Sequence, residues 1–161
     1  METERKWLIR EADIPYDLTG AEKWEIEQAY ICFSPTVRIR RINDDRFVLT
    51  VKGPPLNGTK HLSREEFETA LSEKSYTQLL GKHEGHVIRK TRYRVRRADG
   101  LTEEIDIFRG KLAGLAYLEI EFDTEAEALA FPAPGWVIRE VTFEKGWTNA
   151  ALARHGMPEG L

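Results

Sequence analysis

Charges recur at every second position in most segments of this 161-residue chain that read as strands. Because successive side chains of a strand point to opposite faces, charges spaced in this way share one face. The intervening positions carry apolar residues such as Ile105 and Ile107, which need a hydrophobic covering. The charged sets are Glu2, Glu4 and Lys6; Arg38 and Arg40; Arg64, Glu66 and Glu68; Lys90, Arg92 and Arg94; Glu104 and Asp106; and Glu119 and Glu121. The pattern therefore predicts strands with one charged face and one apolar face.

Period-2 alternation predicts eight strands, enough to close a barrel. Turn-rich links at 43–45 and 99–100 favour hairpins between neighbouring strands. We therefore expect a mostly β fold, a closed eight-stranded antiparallel barrel, in one domain over residues 1–161, with a few short helices outside it. The predicted strands are Glu2–Ile9, Trp24–Phe33, Thr36–Ile42, Phe47–Lys52, Leu62–Leu71, Arg89–Arg96, Thr102–Phe108 and Tyr117–Phe122.

Capping and terminating residues predict three short helices. These run over about 72–81, 124–131 and 149–155. Ser63 with Glu66 also forms a capping box, which would make 63–71 a helix. We prefer a strand there, because a strand places its charges on one face as elsewhere in the chain.

The charged face has two interpretations. It is either the solvated outside of a sheet, with ion pairs worth a few tenths of a kcal/mol each, or the inside of the barrel. Same-sign pairs such as Arg38 with Arg40 and Glu119 with Glu121 favour the inside, because they repel unless a counter-ion lies between them. A polyanion chelated by a divalent cation matches both signs. Carboxylate oxygens without a Cys/His cluster suit Mg²⁺ or Mn²⁺ rather than zinc.

Composition limits the compartment and the partners. A formal charge of -3 gives no global attraction to nucleic acid or anionic membrane, so neither is expected as a partner. Cys32 is the single cysteine, no apolar stretch is long enough to span a membrane, and the first residues are too acidic for a signal peptide. We expect a cytoplasmic protein. Its oligomeric state is open, with a homodimer as one alternative.

The opening Glu2-Thr3-Glu4-Arg5-Lys6 is an E-x-E-x-K motif. It resembles the signature of the CYTH superfamily, the triphosphate tunnel metalloenzymes, and further motifs follow in the expected order across nearly the whole chain. These are Val37-Arg38-Ile39-Arg40, Thr50-Val51-Lys52, Ser63 to Glu68, Lys90-Thr91-Arg92-Tyr93, Glu104 to Phe108, Glu119 to Phe122, and Glu140-Val141-Thr142 with Lys145 and Asn149. The resemblance implies an eight-stranded antiparallel tunnel, dependence on Mg²⁺ or Mn²⁺, and a substrate bearing a triphosphate.

The resemblance also implies roles for individual residues. Metal ligands would be Glu2, Glu4, Glu119 and Glu121, with Glu66, Glu68 and Asp106 as further candidates. Phosphate-binding residues would be Arg38, Arg40, Lys52, Arg64, Lys90 and Arg92, whereas Arg94 and Arg96 would lie at the rim. Lys6 and Tyr30 would be the catalytic pair. Basic neighbours lower the pKa of a lysine and adjacent acids raise it, so the sequence leaves open whether Lys6 is a general base.

Four functions are compatible with these residues. The leading one is metal-dependent hydrolysis of inorganic tripolyphosphate to pyrophosphate and phosphate. Thiamine or nucleoside triphosphate hydrolysis and adenylyl cyclase activity form the second group, and the latter two need a pocket for a base. A non-catalytic polyphosphate-binding module would not need so many inward acids. A solvated sheet without a site would tolerate replacement of Arg38 or Glu121.

Overall fold

The computed structural model describes residues 2–55 and 63–159. These residues form mainly strands, with three α-helices and three 3-10 turns. The strands are β1 Glu2–Leu8, β2 Glu22–Cys32, β3 Thr36–Ile42, β4 Arg46–Pro55, β5 Ser63–Ala70, β6 Glu84–Arg96, β7 Thr102–Phe108, β8 Ala116–Glu121 and β9 Arg139–Glu140. The eight predicted strands are therefore confirmed, and β9 is an additional one.

The strands form a closed antiparallel barrel. Their order is β5-β4-β3-β2-β6-β7-β8-β1, and β1 pairs with β5 to complete the circle. This closing ladder pairs Thr3 with Ser63, whose hydroxyl groups are 2.6 Å apart. Strand β9 adds to the other half of β1, where Trp7 lies opposite Glu140. The predicted barrel is confirmed, because β1 and β5 leave no free edge between them.

Six of the eight predicted strands differ from the structure by one to five residues at one or both ends, and β6 differs most. Strand β6 begins at Glu84, five residues before the predicted start, and passes through Gly85 with a φ of +69°. A Cβ atom on Gly85 would lie 2.5 Å from the carbonyl oxygen of Ala153, so only glycine allows this close approach. The segment from Ser63 is strand β5, which excludes the helix alternative. The predicted residue Leu62 lies outside the described residues.

The three predicted helices are confirmed. They are α1 Glu73–Leu80, α2 Glu125–Ala130 and α3 Asn149–His155. Each begins after a hydroxyl side chain that accepts a hydrogen bond from the backbone of its first turn: Ser72, Thr124 and Thr148. Within the described part of the chain, no helix combines the length and apolar character needed to span a bilayer. The cytoplasmic location and the homodimer stay predictions.

Apolar residues cover the outside of β1, β7 and β8 and also fill one end of the interior. Outside, Trp7, Ile105 and Leu118 are buried beneath the segment after β1 and the segment around α2. At the end of the interior nearest α3, Phe108 and Tyr117 pack into a core with other buried residues. That closed end consists of Leu8, Tyr30, Ile88, Phe108, Leu112, Leu115, Tyr117, Val141, Trp147, Leu152 and Ala153. The remaining interior is charged.

Candidate active site inside the barrel

Two adjoining cavities occupy the charged part of the interior. The larger has a volume of about 300 Å³ and the smaller about 170 Å³. Both are lined by Glu4, Arg38, Lys52 and Asn149. Of the other residues predicted for the site, Arg40, Glu66, Glu68, Arg92, Glu119 and Glu121 line the larger cavity, and Lys6, Tyr30 and Arg64 line the smaller. The charged face therefore points inward, as predicted.

Strands β6, β7 and β8 form one wall, in which the buried cations Lys90 and Arg92 contact acids. Lys90 Nζ donates to Asp106 Oδ2 at 2.7 Å. Arg92 donates to both oxygens of Asp106, at 2.6 and 2.9 Å, and to Glu119 at 3.3 Å. Its remaining nitrogen lies 3.4 Å from Glu104. We call Lys90, Arg92, Glu104, Asp106 and Glu119 the paired wall.

Burial perturbs the groups of the paired wall. Asp106 is fully buried, which would raise its pKa, but Arg92 and Lys90 outweigh burial and hold the pKa well below its usual range. Burial lowers the pKa of Lys90 to about 7, helped by Arg92 and Arg40 and opposed by Asp106. Asp106 is therefore an anion that already accepts three hydrogen bonds from cations, so binding metal would mean displacing them.

Strand β3 presents two arginines that have neutral partners. Arg38 donates to the Thr50 hydroxyl at 3.3 Å, and Arg40 donates to the side-chain carbonyl of Gln28 at 2.9 Å. No described carboxylate lies within ion-pair distance of either guanidinium, and Arg38 Nε is buried without an acceptor. Burial, with the charges of Arg38 and Arg92, lowers the pKa of Arg40 to about 9. We call Arg38 and Arg40 the open wall, and two buried guanidinium groups with neutral partners suit an anion.

Carboxylates face one another across β1 and β8. Glu4 is paired in register with Glu121, and Lys6 with Glu119. Glu119 Oε1 is buried without a hydrogen-bond donor, although Lys6 Nζ lies 3.4 Å away. No three described acids converge as a preformed metal cluster. The Glu119 oxygen without a hydrogen-bond donor and the opposed pair beside it fit a hard divalent cation, whereas the Glu2 side chain lies outside the described part of the structure.

Lys6 is held in its cationic form by neighbouring acids. Burial alone would lower its pKa, but the carboxylates of Glu119 and Glu4 outweigh burial. The resulting pKa lies well above the ordinary value for lysine. Its ammonium group also lies 4.9 Å from the centroid of the Tyr117 ring. The acids therefore outweigh burial, which alone would have favoured a neutral, proton-accepting Lys6.

Tyr30 lies on the same cavity as Lys6. It is buried, and its ring stacks on Phe33 with centroids 5.4 Å apart. Among the described contacts there is no hydrogen bond between Tyr30 and Lys6. The structure brings the predicted catalytic pair to one cavity without joining the two side chains directly.

Sequence analysis did not assign several cavity-lining or bridging residues to the site, among them Trp24, Gln28, Arg46 and Asn149. Gln28 is fully buried between Arg40 and Asn149. Trp24 lines the far end of the larger cavity, where the guanidinium groups of Arg46 and Arg94 lie over its ring at 4.7 and 4.8 Å. Arg94 was expected there as a rim residue. Trp24 and Gln28 lie at inward positions of β2, so the alternation of that strand could have identified them. Neither carries the charge by which the other inward positions were recognised.

Comparisons with known proteins agree with this architecture. The model of the CYTH domain matches residues 1–134. The inorganic triphosphatase of Nitrosomonas europaea is 34% identical over 156 residues, which is 94% of this chain and 96% of that protein. The inorganic triphosphatase of Acetivibrio thermocellus is 35% identical over 131 residues, or 80% of this chain and 79% of that protein.

Two solved structures have a similar three-dimensional fold. The crystal structure of the inorganic triphosphatase NE1496 is similar with a TM-score of 0.66 at 29% identity, over 95% of this chain and 94% of that one. The PH1012 protein of Pyrococcus horikoshii has a TM-score of 0.61 at 25% identity, over 80% of this chain and 84% of that one. With a tunnel of paired acids and bases inside an eight-stranded barrel, this chain belongs to the CYTH family.

Proposed function

We propose that this protein hydrolyses inorganic tripolyphosphate to pyrophosphate and phosphate inside the barrel. The observation that carries the proposal is the open wall, where two buried guanidinium groups have neutral partners although an acid-rich wall lies across the same cavity. Buried cations of this kind need an anion, and phosphate oxygens match the guanidinium geometry. The full-length similarity to two proteins named inorganic triphosphatase supports the same substrate.

The reaction is the attack of water on a terminal phosphorus atom. A new bond forms between phosphorus and the water oxygen, the anhydride bond to the bridging oxygen breaks, and pyrophosphate leaves with that electron pair. The two protons of water end on the products or in solvent. Because the transferring group gains little covalent help, its position and the neutralisation of its charge dominate catalysis.

The residues of the two cavities divide this work. Arg38 and Arg40 bind phosphate oxygens from the open wall, and Lys52 and Arg64 do so from the smaller cavity. Arg92 faces the larger cavity, held by Asp106, and Lys90 lies buried behind it. These positively charged side chains, held in fixed positions, orient the chain of phosphates before the reaction.

A divalent cation, Mg²⁺ or Mn²⁺, belongs to the proposal. Glu4, Glu119 and Glu121 would hold it, with Glu66 and Glu68 lining the same cavity as further oxygen donors. When bound, it neutralises charge on the phosphate chain and polarises the phosphorus–oxygen bonds. The proton-accepting role of Lys6 stays a prediction, since its ammonium form in the empty protein is a phosphate-binding group.

Nucleoside triphosphates are the second candidate, because Trp24 offers an aromatic ring at the far end of the larger cavity. A base could stack on such a ring. The guanidinium groups of Arg46 and Arg94 already lie over it, however, so a base would have to displace them. This arrangement favours the inorganic substrate.

The test is phosphate release from tripolyphosphate, ATP and thiamine triphosphate, each with Mg²⁺, Mn²⁺ or a chelator. We expect release from tripolyphosphate well above the other two, dependent on the metal, and abolished by Glu4→Gln. Lys111→Gln, an exposed change outside both cavities, is the matched control and should leave the rate unchanged. Binding of tripolyphosphate without release would replace the hydrolase with a binding module.

A further inference from the structure

Asn149 lies where the two cavities of the barrel meet. It is the first residue of α3, the helix that covers the closed end, and it lines both the larger and the smaller cavity. Its side-chain oxygen Oδ1 accepts from Gln28 Nε2 at 3.2 Å and from Lys90 Nζ at 3.4 Å. A helix outside the barrel thus contributes one polar side chain to the charged interior.

The orientation of this amide is determined by its neighbours. An ammonium group and a guanidinium group can only donate hydrogen bonds. Arg40 Nε therefore requires the carbonyl oxygen of Gln28, which leaves Gln28 Nε2 to donate to Asn149. Lys90 requires the same Asn149 oxygen. Both amides are oriented by fixed cations, so the assignment of nitrogen and oxygen follows from chemistry.

One polar atom of Asn149 remains without a described partner. Its nitrogen Nδ2 carries two N–H donors, and no described residue offers it an acceptor within hydrogen-bond distance. The side chain is half-buried and borders both cavities. An uncharged donor at this junction is matched to an oxygen acceptor of a ligand that occupies both cavities.

We propose that Asn149 is a substrate-binding residue whose Nδ2 donates to a phosphate oxygen at the junction of the two cavities. Through Oδ1 it also positions Lys90 and, by way of Gln28, Arg40. The inference rests on the proposed function, because tripolyphosphate is the ligand that supplies the acceptor. It assigns α3 a part in substrate recognition in addition to covering the closed end.

Asparagine is better suited here than its acidic isostere. Aspartate at this position would keep an acceptor for Gln28 and Lys90 but would replace the donor with a negatively charged oxygen facing the phosphates. Asn149→Asp therefore removes the substrate contact and retains the contacts within the protein. Asn149→Ala removes both. The pair separates binding of substrate from support of the barrel.

The experiment measures kcat and KM for tripolyphosphate with Mg²⁺, the Kd of tripolyphosphate in chelator by calorimetry, and the Tm without ligand. For Asn149→Asp we expect Kd and KM to rise about 10-fold to 100-fold, the size of a lost hydrogen bond to a charged group, with a nearly unchanged Tm. Asn149→Ala should raise both about 10-fold. His155→Gln, an exposed change on the same helix, is the control.

Three outcomes are decisive. Unchanged Kd and KM in Asn149→Asp would overturn the inference, and a lowered Tm in the alanine variant alone would then assign Asn149 a purely structural role. Wild-type protein that binds tripolyphosphate without hydrolysing it would overturn the proposed reaction, while the Kd values still test Asn149. Wild-type protein that neither binds nor hydrolyses it would overturn both.

Discussion

The paired wall and the open wall of one barrel hold the same kind of cation in opposite electrostatic situations. Arg92 contacts Asp106, Glu119 and Glu104, so its charge is balanced within the protein. Arg38 and Arg40 are as deeply buried, but their hydrogen-bond partners are a hydroxyl and an amide. A buried charge without a counter-charge is unfavourable. The charges of the paired wall are balanced within the protein, and under the proposed function the phosphates of the substrate balance those of the open wall.

Because of this difference, mutations in the paired wall should change the stability of the fold, and mutations in the open wall should change ligand binding. Removing a charge from the paired wall leaves its partners buried and unbalanced, which destabilises the fold. Removing a charge from the open wall relieves an existing imbalance and weakens ligand binding instead. The same chemical change, loss of one inward charge, should therefore have opposite consequences on the two sides of the cavity.

Asp106→Asn should have the largest effect, because it leaves Lys90 and Arg92 buried without their shared carboxylate. We expect the free energy of unfolding to fall by about 3–5 kcal/mol. Urea denaturation followed by circular dichroism measures it. Glu104→Gln, at a partly exposed position of the same wall, is the control and should cost about 1 kcal/mol. Equal losses in the two variants would contradict the dependence of this cost on the full burial of Asp106.

Tripolyphosphate should stabilise the protein by balancing the open wall. At a ligand concentration of 100 times the Kd, linkage predicts about 2.7 kcal/mol of added stability. A rise in Tm on adding tripolyphosphate to protein in chelator, where hydrolysis is blocked, measures this. Sodium sulfate at equal ionic strength controls for general screening. A Tm that responds equally to both salts would show that the open wall is not selective for a chain of phosphates.

Arg38→Met should separate binding from stability. We expect the Kd for tripolyphosphate to weaken by about 10-fold to 100-fold, since a hydrogen bond to a charged group is worth about 1.5–3 kcal/mol. The unfolding free energy should stay constant or rise, because an unpaired buried charge is removed. Calorimetry and urea denaturation on one preparation test both. A loss of stability as large as that of Asp106→Asn would erase the distinction between the walls.

Arg46→Ala should have the smallest effect. The side chain is exposed at the far end of the larger cavity, and its described contact is with the ring of Trp24. We expect less than about 0.5 kcal/mol change in stability and a small, salt-sensitive change in KM. Kinetics at two ionic strengths check this. A strong loss of activity would extend the substrate site to this end of the barrel.

The barrel and the inward direction of its charges were predictable because alternation is local and needs no knowledge of neighbouring strands. The distinction between the walls was not, since it depends on register: Arg92 lies opposite Asp106, whereas Arg40 lies opposite Gln28. Asn149 was also missed as a site residue. It stands in the C-terminal motif of the resemblance, but its position on the cavity depends on the docking of α3, which no periodic pattern in the sequence predicts. The early start of β6 was hidden by Gly85, which interrupts the alternation.

The ladder between β1 and β5 is the short seam of the barrel. Its described register holds two residue pairs, and it joins positions 60 residues apart in the chain. Glu4 lies on one side of this seam and Arg64 on the other, and both line the smaller cavity. A phosphate chain that reaches both would link β1 to β5 across this ladder. Bound substrate would then strengthen the ladder that has the fewest residue pairs among the described strand pairings of the barrel, and hydrolysis would remove that added link at each turnover.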